Sequence, residues 1–248
     1  MQKVIKTASQ LEKMRIACAL TKEVLDELER NIKPGITTKE LDTIARNLIK
    51  KQNAKPTFLG YNGYPAAICA SVNSQVVHGI PNDKILQEGD IISIDCGVTY
   101  NGFTGDAART FAVGQVSEDA QKLIDVTKQC FFEGIKNIKC GCYVGDISYA
   151  IQTYAEKNGF SIIRELIGHG VGENLHEYPE VPNYGRMGEG AKLYAGMTIA
   201  VEPMVNMGKK EIMFLSDGWT CVTKDGLPSA HYENTILITD TGVEILTL

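Results

Sequence analysis

Four carboxylates and one histidine lie in or beside the strand-like apolar stretches of this 248-residue chain. The five are Asp95, Asp106, His169, Glu202 and Glu233. In IISIDCG (91–97) and TIAVEPM (198–204), for example, an acid follows a run of mainly apolar residues. An ionised carboxylate buried alone is very unfavourable, and four gathered in one interior repel each other unless cations neutralise them. The set therefore predicts an enzyme built around two divalent metal ions.

The composition is that of a globular protein with a sizeable core, since 44% of the residues are hydrophobic. A net charge of −5 argues against a broad nucleic-acid-binding surface. The sequence has no run of about 18 apolar residues, so no membrane span is predicted. The polar start, MQKVIKTASQLEKMR, lacks the apolar core of an export signal. Seven cysteines without CxxC spacing are typical of reduced thiols. We therefore expect a cytoplasmic protein that binds neither a membrane nor specific nucleic acid.

Helical and extended patterns alternate along the chain. Apolar spacing predicts a helix over 7–30, and TTKE predicts a second helix that begins with a capping box between Thr37 and Glu40. The other segments are predicted as extended over 66–113, helical over 117–139 and 144–158, and mainly extended from 198 onward. This order, two helices and then strands, occurs twice and indicates an α+β fold.

The two occurrences of this helix–helix–strand order also resemble each other in sequence. The matching segments are IKPGITTKELDTIA (32–45) with IKCGCYVGDISYAI (138–151), GDIISIDCGV (89–98) with GMTIAVEPMV (196–205), and GDAARTFAV (105–113) with YENTILITD (232–240). The matches align Asp95 with Glu202 and Asp106 with Glu233. Three matches in the same order predict a single domain, 1–248, whose related halves (roughly 1–113 and 114–248) pack about a pseudo-twofold axis.

The first two acids flank an Asn-Gly pair at 101–102, a strong signal for a two-residue hairpin turn. If this pair forms the turn, residues whose numbers sum to 203 face each other, so that Asp95 lies opposite Ala108. Asp106 then lies diagonally across on the same face, within reach of a common pair of ions. Cys96 points to the other face, where we expect it to pack rather than bind metal.

The histidines lie in short segments that contain glycine or proline. His169 stands in GHGVGEN (168–174), which lacks the full G-x-G-x-x-G spacing and a clear strand-to-helix unit, so we exclude a dinucleotide site. The HE pair at His176 lacks the second histidine of HExxH, which argues against a mononuclear zinc protease. A lone histidine is more often structural than ligating, but His78, His169 and His176 share this setting, where backbone can pass close to a ligand.

Several blocks of the chain resemble a known enzyme family. They are HGIPND (78–83), IDCG (94–97), NGFTGDAARTF (101–111), IGHGVGENLHEYPEVPNYG (167–185), AVEPMV (200–205) and AHYENTILIT (230–239). These blocks are similar to those of type I methionine aminopeptidases, and the ordered D…D…H…E…E set is specific to the pita-bread metallopeptidases as a group. The resemblance implies the pita-bread fold, a pseudo-twofold antiparallel sheet covered by helices. It also implies hydrolytic removal of an N-terminal methionine.

The resemblance implies a role for each donor. Asp95 would bind one ion, Asp106 and Glu233 would bridge both ions, and His169 and Glu202 would complete the other. Three residues would be catalytic: Glu202 as proton acceptor from water, His176 at the scissile carbonyl or its oxyanion, and His78 at the peptide nitrogen. Four oxygen donors and one imidazole suit Mn²⁺ or Fe²⁺ at least as well as Zn²⁺, with Co²⁺ as a further candidate.

An apolar pocket for one methionine side chain is also implied. By resemblance its lining is Phe58, Tyr61, Tyr64, Cys69, His78, Leu175, His176 and Trp219. Phe58 and Leu175 differ from the cysteine and phenylalanine of some bacterial relatives, which affects pocket shape and not the reaction. Without the resemblance, FLGYNGYP (58–65) would be an ordinary surface loop. Asn73 and Ser229 match positions that hold a monovalent cation in relatives, so we expect such an ion here.

Three alternatives bear on this assignment. Type II relatives insert a helical subdomain after the second histidine, and the 26 positions from His176 to Glu202 leave no room for it. Xaa-Pro aminopeptidases and prolidases share the ligand set but normally carry a further N-terminal domain. A metal-free binding protein on the same fold would be expected to lose ligands, whereas this chain keeps all five donors.

The expected substrates are nascent cytoplasmic chains and peptides that begin with methionine followed by a small residue. The chain resembles the minimal bacterial form of the family, without a Cys/His-rich extension before the first helix. We expect a monomer that associates transiently with the ribosome.

Overall fold

The computed structural model describes residues 4–248. Its helices are α1 (Ala8–Asn31), α2 (Thr38–Lys51), α3 (Glu118–Ile135) and α4 (Val144–Lys157). Its strands are β1 (Lys55–Pro56), β2 (Ile68–Val72), β3 (Gln75–Val77), β4 (Ile91–Tyr100), β5 (Phe103–Ala112), β6 (Ser161–Ile162), β7 (Gly168–Gly170), β8 (Glu177–Val181), β9 (Thr198–Val201), β10 (Met204–Asn206), β11 (Ile212–Phe214), β12 (Cys221–Thr223), β13 (Ser229–His231), β14 (Glu233–Ile238) and β15 (Val243–Ile245). The α+β class predicted from sequence is confirmed.

The second helix begins at the predicted capping box, and the first helix, predicted from apolar spacing, begins with a capping box as well. The Thr37 hydroxyl accepts a hydrogen bond from the Glu40 amide, and a Glu40 carboxylate oxygen accepts one from the Thr37 amide. The same reciprocal pair joins Thr7 and Gln10 at the start of α1. Each pair satisfies amide groups that the first turn of a helix leaves without an intrahelical partner.

The third helix is shorter than predicted, because it ends at Ile135 and not near 139. The Ile138 amide bonds back to the Ile135 carbonyl at 3.1 Å, and the Cys140 amide bonds to the Thr239 carbonyl at 2.9 Å. A contact with a segment about a hundred residues later in the chain therefore redirects the backbone. Local apolar spacing carries no information about such a partner.

A nine-stranded antiparallel sheet forms the centre of the molecule, with the order β1-β4-β5-β14-β9-β7-β8, β2 on β4 and β15 on β14. The β4–β5 register is unbroken from Ile91 opposite Ala112 to Tyr100 opposite Phe103. Paired numbers sum to 203 throughout, so the predicted hairpin is confirmed. Cys96 is fully buried on the helix-covered face, as predicted.

The four middle strands have the predicted pseudo-twofold order, since β4-β5 on one side is followed by β14-β9 on the other. A pair of helices precedes each pair of strands, and each pair of helices covers its own half of the sheet. Helices α1 and α2 pack on one apolar cluster with β4, and α3 and α4 pack on another with β9 and β14. Two three-stranded sheets, β13-β10-β6 and β11-β12-β3, complete the fold, and the first of them joins the apolar cluster of α3 and α4.

None of the helices among residues 4–248 is long and apolar enough to cross a membrane. The seven cysteines are all free thiols, five of them buried. Burial raises the pKa of the buried Cys130 thiol to about 12, so that it stays protonated near neutral pH.

Candidate metal centre and substrate cavity

A first row of donors crosses the middle of the nine-stranded sheet. Ala108 on β5 lies opposite Asp95 on β4 and, on its other side, opposite Glu233 on β14. Neighbouring strands lie about 4.8 Å apart, so the two carboxylates flank a residue whose side chain is only a methyl group. Glu202 directly follows the last residue of β9, the strand that pairs with β14. It extends the row beyond Glu233.

A second row runs beside the first. The Thr235 hydroxyl on β14 accepts a hydrogen bond from the Asp106 amide at 3.1 Å and donates one to the Asp106 carbonyl at 2.8 Å. Thr235 lies opposite Ala200 on β9, and Ala200 lies opposite His169 on β7. The second row therefore carries Asp106 and His169 at its two ends. The five predicted donors thus come to one face of adjacent strands.

The donor atoms converge closely. Ligand atoms of Asp106, His169 and Glu233 all lie within 4.8 Å of one another. His169 Nε2 is 3.5 Å from Glu202 Oε1 and 3.7 Å from Asp106 Oδ2. Asp95 Oδ1, Asp106 Oδ1 and Glu233 Oε1 are buried without a hydrogen-bond partner among the described residues. Buried acceptors in native proteins normally have a partner, and a cation would supply one here.

The ring orientation of His169 also fits a bound cation. Its Nδ1 lies 2.9 Å from the Gly170 carbonyl oxygen, which can only accept, so Nδ1 carries the hydrogen. Nε2 then presents a lone pair to two carboxylates. Burial and the neighbouring His176 lower the pKa of His169 to about 4, which keeps the ring neutral. The lone pairs of Nε2 and of the carboxylate oxygens repel each other unless a positive charge lies between them. In addition, a hydrogen bond from the other ring nitrogen to a backbone carbonyl is typical of metal-binding histidines.

The carboxylates are held in a setting that disfavours their charge. Burial raises the pKa of Asp106 to about 7. Burial also raises the pKa of Asp95, Glu202 and Glu233 well above the ordinary range, and neighbouring carboxylates raise these three further. An isolated site of this kind would take up protons near neutral pH. Divalent ions would instead keep the acids ionised, because their charge compensates the lost hydration.

Glycines on either side of His169 let its strand approach two neighbours. A Cβ atom at Gly168 would lie 2.4 Å from the Ala200 carbonyl oxygen, and one at Gly170 would lie 2.3 Å from the Tyr178 carbonyl oxygen. Both obstacles are backbone atoms, which cannot rotate away. The GHG sequence is therefore required by the packing of β7 between β8 and β9.

A cavity of about 330 Å³ opens above the carboxylates. Its lining includes all five donors and every predicted pocket residue: Phe58, Tyr61, Tyr64, Cys69, His78, Leu175, His176 and Trp219. Phe58, Tyr64, Cys69 and Leu175 are buried and pack as one apolar cluster, which Trp219 joins. The FLGYNGYP segment is therefore an exposed loop, as its composition suggests, that also forms one wall of the cavity through Phe58, Tyr61, Asn62 and Tyr64.

Two histidines stand at the mouth of this cavity. The Tyr61 hydroxyl lies 2.7 Å from His176 Nδ1, and the His176 ring is packed against that of His169, with 4.3 Å between ring centroids. His78 has a φ of +58°, an unfavourable conformation for a residue with a Cβ atom. Such strain is most common at functional sites, and here it turns the imidazole into the cavity after β3 ends.

The residues proposed for a monovalent cation lie side by side outside this cavity. The Ser229 amide donates to the Asn73 carbonyl at 2.9 Å, and the Ser229 hydroxyl donates to the Val205 carbonyl at 3.2 Å. The Asn73 side-chain amide is engaged by Asp90, at 2.8 Å. These contacts join the two positions but do not test whether an ion binds, which stays a prediction.

Sequence reasoning missed some residues of the site. His231, the fourth histidine, is 1% exposed, and its Nε2 lies within 4 Å of both Glu202 and Glu233. Its position two residues before Glu233, in AHYE, was the available signal, because alternate residues of an extended segment share a face. Val77 and Met204 also line the cavity. They come from the small sheets, whose pairing the local pattern does not reveal.

Comparison with known proteins identifies the family. The model of "Metallopeptidase family M24" matches residues 12–240. A methionine aminopeptidase of Clostridium acetobutylicum is 52% identical over 99% of this chain and 98% of its own length. The crystal structure of a methionine aminopeptidase from Rickettsia prowazekii is 44% identical, with a TM-score of 0.98 and full coverage of both chains. The expected pita-bread fold of this family is thereby confirmed.

A more distant likeness bears on the Xaa-Pro alternative. An Xaa-Pro dipeptidase from Bacillus anthracis has a TM-score of 0.79, but it is 22% identical and the chain covers only 62% of it. This likeness reflects the shared fold alone. The chain belongs to metallopeptidase family M24, and within that family to the methionine aminopeptidases.

Proposed function

We propose that this protein hydrolyses the first peptide bond of nascent chains and peptides that begin with methionine, with a preference for a small second residue. The observation that carries the proposal is the cavity itself. Its lining includes the five predicted metal ligands and a cluster of apolar and aromatic residues. Such an arrangement would place a hydrolytic centre beside an apolar pocket, which is expected to take one methionine side chain.

Two divalent ions per chain are part of the proposal, held by Asp95, Asp106, His169, Glu202 and Glu233. Fe²⁺, Mn²⁺, Co²⁺ and Zn²⁺ are the candidates for this set of oxygen and nitrogen donors. When bound, such ions polarise a carbonyl group and lower the pKa of water. The unpartnered oxygens and the lone pair of His169 support this assignment. Metal analysis of protein purified without chelators tests it, since about two ions per chain are expected.

Glu202 is proposed to accept the proton of the attacking water. Glu202 lines the cavity, and its Oε1 lies 3.5 Å from His169 Nε2, so a carboxylate oxygen faces the proposed centre. The Asn183 side-chain amide donates to the Glu202 carbonyl at 3.0 Å and fixes its backbone. The carboxylate is thereby held at the edge of the cavity.

His176 and His78 are proposed to handle the two ends of the scissile bond. When the Tyr61 hydroxyl donates to His176 Nδ1, Nε2 carries the hydrogen and can donate to the carbonyl oxygen as negative charge develops there. His78 is proposed to contact the peptide nitrogen on the leaving side. Burial lowers the pKa of each ring, so that both are neutral near pH 7 and each has one N–H to donate.

The substrate side chain is proposed to lie against Phe58, Tyr64, Cys69, Leu175 and Trp219. Tyr64 and Trp219 meet edge to face, with 5.1 Å between ring centroids, which gives the wall a rigid shape. A flexible thioether side chain makes favourable contacts with aromatic rings of this kind. Tyr61 lies at the rim and is 36% exposed.

A peptide assay separates this function from the Xaa-Pro alternative. The pure protein with Mn²⁺ or Co²⁺ is supplied with Met-Ala-Ser and, in parallel, with Ala-Pro peptides. Release of methionine from the first peptide alone is expected. Cleavage of the proline peptide alone would overturn the proposal, and absence of both activities with no bound metal would favour a binding protein.

The remaining parts of the proposal concern the chain as a whole. We infer one domain over 1–248 with related halves of roughly 1–113 and 114–248, acting as a monomer in the cytoplasm with transient ribosome association. A monovalent cation at Asn73 and Ser229 completes it. Sedimentation velocity with and without ribosomes tests the monomer and the association, and a change of Tm between sodium and tetramethylammonium buffers tests the cation.

A further inference from the structure

His231 is a buried histidine to which the proposed mechanism gives no role. It is 1% exposed, and its Nε2 lies 3.8 Å from Glu202 Oε2 and 3.9 Å from Glu233 Oε2. Neither of its ring nitrogens has a hydrogen-bond partner among the described residues. A buried polar group without a partner is unfavourable, so a residue in this state is normally kept for a partner that it meets in the working protein.

The backbone of His231 is fixed from two sides. The Thr110 hydroxyl accepts a hydrogen bond from the His231 amide and donates one to the His231 carbonyl, both at 2.9 Å. His231 also lies opposite Met204 in the pairing of β10 with β13. Met204 and His231 are each two residues from an acid, Glu202 and Glu233 respectively. The pairing of β10 with β13 therefore brings the imidazole close to the two carboxylates.

The geometry indicates a hydrogen-bond donor behind the carboxylates and not a sixth ligand. Glu202 directs Oε1 to His169, at 3.5 Å, and Oε2 to His231, at 3.8 Å. The two imidazoles therefore lie at different oxygens of one carboxylate. Unlike His169, His231 has no backbone acceptor at Nδ1 among the described residues, so Nε2 can carry the hydrogen and donate it to the carboxylate oxygens, which accept.

We propose that His231 is a positioning residue, whose Nε2–H donates to the carboxylates of Glu202 and Glu233 and holds them in the orientation that binds the divalent ions. The inference rests on the proposed function, because it takes these two glutamates as ligands. A donor to a ligating carboxylate strengthens metal binding by fixing the ligand before the ion arrives. Loss of such a partner typically weakens metal affinity about 10–100-fold.

Three substitutions test the role. His231→Gln keeps an N–H donor near the position of Nε2, His231→Leu keeps similar size without a donor, and His231→Asn has an amide too short to reach the carboxylates. Affinity for Mn²⁺ is measured by calorimetry on the full chain, and the Tm of each metal-free variant is measured in parallel. We expect the Leu and Asn variants to lose about 10–100-fold in affinity and the Gln variant to stay within a few-fold of wild type.

Each outcome decides the proposal. Wild-type affinity in the Leu or Asn variant overturns it, and so does a loss in the Gln variant as large as that in the Asn variant. Equal falls in metal-free Tm across all three variants, with unchanged affinity, would indicate a purely structural histidine. If the Leu variant does not fold, the Gln and Asn pair gives the answer. Failure of the proposed function gives a different result from failure of this inference. If the function is wrong, wild type does not bind Mn²⁺, or Asp106→Asn binds it as tightly as wild type does.

Discussion

The two halves of the sheet each supply two acids, but they do so by different routes. Asp95 and Asp106 come from one continuous hairpin, whose ten-residue strands are joined by a two-residue turn. Glu233 is the first residue of β14 and Glu202 directly follows β9; these two strands pair directly although residues 202–232 separate them in sequence. The intervening segment forms β10 to β13, and it brings Met204 and Trp219 to the cavity.

The difference assigns separate tasks to the halves. The first half is a local scaffold, because a two-residue turn and an unbroken register set the positions of its two carboxylates. The second half places its acids at strands that are joined only through β10 to β13. The same segment contributes residues of the cavity lining and His231, the proposed partner of its carboxylates. Each half thus supplies two carboxylates, but the first half does so through a local hairpin and the second through pairing of strands that are distant in sequence.

The largest effect is expected from removal of one acid from either half. Asp106→Asn and Glu233→Gln should each lower kcat/KM at least about 100-fold, since each removes a few kcal/mol of charge stabilisation from the transition state. Steady-state kinetics on a methionine peptide measure this. Glu156→Gln on the exposed face of α4 is the control. Activity retained in one variant but not in the other would mean that a single half builds the centre.

Removal of metal should destabilise both halves at once. Burial raises the pKa of Asp106 to about 7 and raises that of the other three acids, so the metal-free fold favours their protonated forms. Stability from a raised pKa is present at low pH and is lost as pH rises through that pKa. The Tm in EDTA should therefore fall at neutral pH and partly recover as pH is lowered through about 7. Calorimetry with and without EDTA checks this, and an unchanged Tm at neutral pH would contradict it.

A smaller effect is expected where the halves meet, at Ala108 between Asp95 and Glu233. Ala108→Val adds two methyl groups on the acid face and should lower Mn²⁺ affinity and kcat/KM. Ala107→Val is the matched control, because residue 107 points into the helix-covered core. Overpacking should destabilise each by about 1–3 kcal/mol in unfolding experiments, but only Ala108→Val should weaken metal binding. Equal metal affinities in the two variants would argue against the row of donors across β4, β5 and β14.

The smallest effect is expected at the pocket wall beside the hairpin. A Cβ atom at Gly97 would lie 2.7 Å from the Phe58 ring, so Gly97→Ala should push that ring into the cavity. We expect KM for methionine peptides to rise a few-fold, with kcat nearly unchanged, because Phe58 is proposed to contact the bound side chain and not the reacting bond. Gly242→Ala is the control, since a Cβ atom there meets nothing within 4 Å. A fall in kcat alone would contradict this role of Phe58.

Much of the first half could be predicted from local signals. The Asn-Gly turn and the two-residue period of a strand determine which residues of β4 and β5 share a face, so Asp95, Asp106 and Cys96 were oriented correctly. The capping box at Thr37 and Glu40 likewise depends on residues three apart. In the second half the same reasoning found Glu202 and Glu233 through their apolar surroundings. It did not find His231, whose partners include acids on two strands.

The sequence by itself determined the donor types, the helix starts and the hairpin register, because these depend on side-chain chemistry and on neighbours within a few residues. Only the tertiary structure decided that β14 lies between β5 and β9, that α3 ends at Ile135, and that His231 lies against two carboxylates. The physical reason is that strand pairing and burial are set by groups distant in sequence. The free energies of strand pairing and burial outweigh the local helix and strand preferences only when the whole sheet forms.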